Sequence, residues 1–142
     1  MNMELNDILP LVYKIRLISK RNTAYIDNKL KDYDMYHGDF QYLYIIYKNK
    51  GITQRELSKK LNLHESSVTR GIRRLERKGF IKTEKSKEDK RKNILSITSK
   101  GCEMLKINFK EQKSFEENIQ KIFTPDELKT FEENLERIIK MP

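Results

Sequence analysis

Thr53 and Glu56 stand three residues apart, with Ile52 just before them and Leu57 just after, and this spacing starts a helix. The threonine oxygen accepts from the glutamate N–H, the glutamate carboxylate accepts from the threonine N–H, and the two apolar residues staple the approach of the chain. The helix so started is short and runs to about Leu61. Asn62 tolerates the left-handed conformation a tight turn needs, and a second helix follows from about Glu65 to Lys78, stopped by Gly79. Two short helices joined by so brief a turn make a helix-turn-helix.

The surrounding sequence predicts more helix and one hairpin. Leu5, Ile8, Leu9, Val12 and Ile15, then Tyr25, Ile26, Leu30 and Tyr33, recur at threes and fours, which is helical spacing; Pro10 belongs in a first turn, so the residues before it form an arm or a kinked turn. Residues 33–39 read as a loop, and Asp39 is placed to cap a helix that buries Phe40, Leu43, Tyr44 and Tyr47. Residues 80–85 and 93–97 are β-rich runs separated by the polar Ser86 to Lys92, a β-hairpin with a basic tip. Thr98 or Ser99 opens a helix reaching about Ile122, and Thr124, Pro125 and Glu127 open the last one. Five glycines and three prolines in 142 residues fit this mainly helical single domain and disfavour an all-β one.

Charge separates the middle from the ends. From Lys48 to Lys92 there are 16 basic and six acidic residues, a net +10, whereas the rest of the chain holds 14 basic and 15 acidic residues, a net −1. Concentration of the whole +9 in one block is the pattern of a nucleic-acid footprint, not of a uniformly solubilised surface. On a helical wheel Val68, Ile72 and Leu75 fall within about 60° of one another. Ser66, Arg70, Arg73 and Arg77 lie opposite, with Ser67, Thr69 and Arg74 on the flanks. Small hydroxyl residues near a helix start enter the major groove easily, and arginines take guanine edges bidentately. A plain solvated helix face is the bland alternative. At the hairpin tip Arg91 is placed for an adjacent minor groove, with Asp89 two residues away to hold its guanidinium; a flexible charged loop is the alternative there.

The stretch from Thr53 through Gly101 resembles the winged helix-turn-helix of the MarR family of bacterial transcription regulators. The resemblance rests on ELSKKL, on SSVTRGIRRLERKGFI, on the Asp89-Lys90-Arg91 tip and on ITSKG, and the flanking helices extend it over nearly the whole chain. It implies a mainly α fold with a small hairpin wing. The DNA-binding core would span about 38–98, and the terminal helices, about 4–33 and 99–140, would interlock into a homodimer. It implies double-stranded DNA as partner, a pseudo-palindromic operator and a minor-groove contact at Arg91 supported by Asp89, with Lys90 in the same tip. Many members release DNA when a small phenolic or lipophilic effector binds, for which Tyr25, Tyr36, His37 and Phe40 are the candidate lining residues; plain core is their bland role. The peroxide-sensing branch needs a cysteine in the first helix, and this chain's one cysteine is Cys102, which also precludes an intrachain disulfide.

Other chemistries find little support. Two histidines without ligand spacing offer no zinc site, and neither a glycine-rich phosphate loop nor a nucleophile elbow is present, so no cofactor and no catalysis are expected. No run of apolar residues approaches a membrane span and no leader pattern opens the chain, which makes a cytoplasmic protein with no membrane partner the expectation. A winged-helix module that contacts another protein and binds nucleic acid only nonspecifically remains the alternative function.

Overall fold

The computed structural model describes residues 4–142. A four-residue helix α1 (Leu5–Ile8) stops at Leu9, whose φ of −132° and ψ of 63° leave the helical region, and α2 (Pro10–Leu30) restarts with proline in its first turn. Proline fits there because the first turn has no partner for its missing N–H. A 3-10 turn at Lys31–Tyr33 follows, and Asp34 reverses the chain with φ of 56°. Next come α3 (Asp39–Lys48), α4 (Gln54–Leu61) and α5 (Glu65–Arg77), then the antiparallel strands β1 (Ile81–Lys85) and β2 (Asn93–Ile97). The long α6 (Ser99–Gln120) and α7 (Pro125–Ile139) complete the chain.

Local chemistry accounts for most of these boundaries. Both bonds of the Thr53–Glu56 capping box form, at 3.2 Å and 2.9 Å, and the Thr53 N–H holds the Glu56 carboxyl below its ordinary pKa. Asn62 is left-handed with φ of 52°, as the turn between α4 and α5 requires. Gly79, with φ of 77°, turns the chain out of α5. Thr98 caps α6, and a second full capping box of Thr124 and Glu127 starts α7.

The core collects one face of each central element. Ile26 and Leu30 of α2, Leu43 of α3, Leu57 of α4, Leu75 of α5 and Leu95 of β2 are all buried, with Phe80 between helix and hairpin. Each such side chain contributes about 1.5–3 kcal/mol when fully buried. The hairpin is pinned to the helices by Leu95 N–H donating to the Ile52 carbonyl at 2.9 Å and by a bridge between Thr53 and Ile94. The first turn of α6 presses on the other end of β1: a Cβ at Gly101 would lie 2.1 Å from the Phe80 carbonyl oxygen.

Helix α3 departs from the sequence expectation. It buries Tyr42, Leu43 and Ile46, while Tyr44 and Tyr47 are exposed and Phe40 is half-buried. The run FQYLYIIY is apolar nearly all round, so 40, 44 and 47 make as good a stripe as 42, 43 and 46, and periodicity cannot choose between them. Asp39 is not a cap either. Gly38 occupies the cap position, and Asp39 is the first residue of α3, turned inward and buried.

The terminal helices bury much less. Leu5, Ile8, Leu11, Val12, Ile15 and Ile18 are exposed, and α7 buries no residue. Among the described residues no helix is long and apolar enough to cross a membrane.

Candidate nucleic-acid interface

Helix α5 sits on its apolar side. Val68, Gly71, Ile72 and Leu75 are buried, which leaves Ser66, Arg70, Arg73 and Arg77 on the solvent face as the wheel requires. Ser67 and Thr69 are half-buried at the flank. Thr69 is less free than its position in the sequence implies: its Oγ1 donates to the Glu65 carbonyl at 2.8 Å and accepts from Gln54 Nε2 at 2.5 Å. Arg74 turns away from the ridge and donates to the buried Asp39 carboxylate. The exposed ridge therefore consists of three arginines and a serine.

The wing is a built loop. Ser86 N–H donates to the Lys92 carbonyl at 2.9 Å, and Ser86 Oγ accepts from the N–H groups of Glu88 and Asp89, each at 3.3 Å. Asp89 Oδ1 in turn accepts from the Arg91 N–H at 3.0 Å and from Arg91 Nε at 3.1 Å, while Oδ2 accepts from Nη2 at 3.3 Å. The Arg91 side chain and N–H together hold the Asp89 carboxyl below its ordinary value of 3.8. Arg91 is 92% exposed even so, because Asp89 grips one edge of the guanidinium and leaves the rest to solvent. Lys90 is exposed beside it. Glu76 of α5 accepts from the Thr83 N–H at 3.1 Å, which ties wing to helix.

A trough of about 880 Å³ lies between α4 and the wing, lined among others by Arg55, Lys59, Arg91 and Lys92. Arg55, Lys59 and the organising Ser86 were not singled out from the sequence, although Arg55 and Lys59 belong to the basic block. Arg55 and Lys59 of α4 thus share the trough with Arg91 and Lys92 of the wing and with the acidic Glu56, Glu65 and Asp89, while Arg73 and Arg77 of the α5 ridge line a separate surface depression with Glu76.

The four aromatic candidates for an effector site do not converge. Tyr25 packs on Phe115, with ring centroids 5.3 Å apart. Tyr36 lies under Lys78, and His37 bonds Asp27 at 2.9 Å. Phe40 lines a cavity of about 280 Å³, shared with Tyr44, Tyr47, Cys102, Leu105, Lys106 and Phe109. The exposed face of α3, misjudged as buried from the sequence, is what opens this cavity against α6.

The fold and this basic surface define a winged helix-turn-helix DNA-binding protein. A family model, that of the MarR family, matches residues 35–92. The HTH-type transcriptional regulator BilQ of Clostridioides difficile is 30% identical over 117 residues, 82% of this chain and 79% of BilQ. A crystal structure of MarR superposes with a TM-score of 0.80 at 27% identity, covering 99% of this chain and 94% of that one. A mutant MarR from E. coli complexed with operator DNA gives 0.80 at 25% identity, over 96% and 99%. This chain belongs to the MarR family: it is a DNA-binding transcription regulator and not an enzyme.

Proposed function

We propose that the protein is a homodimeric, sequence-specific regulator that binds a pseudo-palindromic operator in the compartment holding the chromosome. The core of about 38–98 reads DNA in this proposal, and the terminal helices, about 4–33 and 99–140, join the two copies. Ser66, Arg70, Arg73 and Arg77 address the major groove, with Ser67 and Thr69 at the helix flank. Lys90 and Arg91 reach the minor groove, and Arg55 and Lys59 take phosphates. The observation that carries this reading is the Asp89 clamp, which orders Arg91 while leaving it 92% exposed at a trough it shares with Arg55 and Lys59. A solvated loop has no use for such a clamp, and a twofold dimer would set two recognition helices about 34 Å apart on the duplex.

Fluorescence anisotropy at ~150 mM salt, with duplexes from the gene's own upstream region against a scrambled duplex, tests it; a specific interface prefers its site by ~10³ or more. Arg91→Ala should weaken operator binding by ~1–3 kcal/mol. Equal, steeply salt-dependent binding to both duplexes would instead favour a module whose partner is another protein. The cavity beside Phe40 suits a small phenolic or lipophilic effector: its walls are aromatic and Lys106 supplies one cation. Salicylate is a suitable probe, and it should lower operator affinity in the wild type but not in a Phe109→Arg variant.

A further inference from the structure

The reading helix is held from behind by one buried charge. Asp39 is 0% exposed, yet both carboxylate oxygens are engaged. Oδ1 accepts from Arg74 Nη2; Oδ2 accepts from the Tyr36 N–H at 3.0 Å and lies 3.6 Å from Lys78 Nζ. Arg74 and Lys78 belong to the last turn of α5 and its exit. Lys78 Nζ also donates to the Asp34 carbonyl at 2.5 Å and stands 4.7 Å from the centre of the Tyr36 ring. The loop that carries Asp34 and Tyr36 and leads into Asp39 is itself tied to α2, because Asp27 accepts from the His37 N–H at 2.8 Å.

This arrangement does what apolar packing cannot. Val68, Ile72 and Leu75 hold α5 to the core without direction, so they tolerate small slides and rotations. A buried carboxylate tolerates neither, since any shift that breaks its contacts leaves a charge without water or partner. Arg74 keeps part of its side chain in solvent, but its Nε is buried with no hydrogen-bond partner and its Nη2 is spent on Asp39. An arginine so placed cannot offer a fork to a guanine.

We propose that Asp39 is a positioning residue for operator recognition, acting through Arg74 and Lys78 to set the orientation of α5, and that Arg74 is its anchor and not a DNA contact. The proposal rests on the sequence-specific binding proposed above. It separates Arg74 from Arg70, Arg73 and Arg77, with which the sequence groups it.

The test measures affinity for the best-bound upstream duplex and for a scrambled duplex over a salt series, with thermal melting of each variant. Asp39→Asn and Arg74→Gln should each lower the preference for the upstream duplex by about tenfold, with the scrambled affinity and the salt slope unchanged, and the double variant should be no worse than the poorer single. Arg73→Gln, the control on the exposed ridge, should lower the salt slope by about 1. A variant that is merely part-unfolded would lose affinity for both duplexes equally. A drop of about 1 in the salt slope of Arg74→Gln would overturn the proposal, as would an unaltered preference in Asp39→Asn. If Asp39→Asn does not fold, Arg74→Gln alone decides, its side chain being partly exposed at 38%. A wild type that fails to discriminate would overturn the operator reading and this one with it; a wild type that discriminates beside an unaltered Asp39→Asn would overturn this one only.

Discussion

The winged-helix core and the terminal helices treat similar side chains in opposite ways. Within the core, leucines 43, 57, 75 and 95 are buried by neighbours from other elements. On α2, Leu11 is 75% exposed, and Ile15 and Ile18 follow it on the same side at intervals of four and three residues. Helix α7 adds Leu135, Ile138 and Ile139, also exposed. A surface of this extent on one chain marks an association site. The core satisfies itself, whereas the arms keep exposed the apolar side chains that the proposed dimer would cover.

The largest effect should come from a charge on the arm. Ile15→Glu should give the mass of a single chain by light scattering and lower operator affinity by about 100-fold or more, because the two half-sites are no longer bound as one unit. Its circular dichroism should stay close to that of the wild type, since Ile15 packs on nothing in the core. A dimer that survives this change would break the contrast between the regions. The next effect tests the core: Gly101→Ala should cost about 3 kcal/mol in urea unfolding, as no neighbour can yield to a methyl group against the Phe80 backbone. An unaltered midpoint would mean that α6 is not seated on β1.

The smallest effect concerns the wing and its Asp89–Arg91 clamp. Arg91 stabilises the Asp89 carboxylate, so the folded pKa lies below the ordinary 3.8. A depressed carboxyl pKa contributes its stability above the unfolded value and loses it as the pH falls through the folded one. The clamp should therefore be indifferent to pH across the neutral range and open only in acid. Carboxyl titration by NMR should place Asp89 below 3.8 in the wild type and move it up toward 3.8 in Arg91→Ala. Titration at the ordinary value in both proteins would dissolve the clamp.

Legibility followed the distance between interacting residues along the chain. Thr53 with Glu56, Thr124 with Glu127, Pro10, Asn62 and Gly79 act within a turn of themselves, and each stands where its chemistry puts it. Asp89 and Arg91 are two residues apart, so their pairing is readable, whereas nothing in the residue types marks the Ser86 bonds that shape the loop. Helix α3 was misread because its apolar residues nearly encircle it. Tyr25, Tyr36, His37 and Phe40 have separate neighbours for a related reason: proximity in sequence across a helix end and a loop says little about which way four rings point. The wheel sets Arg74 on the flank of the ridge, but its partner lies 35 residues earlier, beyond the reach of any local pattern.

By itself the sequence determined where helices begin and end, which face of α5 is cationic, and that the net charge belongs to the central block, since these depend on backbone hydrogen bonds and side-chain order within a few residues. Only the tertiary structure decided which stripe of α3 is buried, which arginine of α5 serves Asp39 and which serve the exposed ridge, and where a cavity opens between α3 and α6. Those outcomes depend on which surfaces meet, and packing selects among stripes that periodicity leaves equivalent.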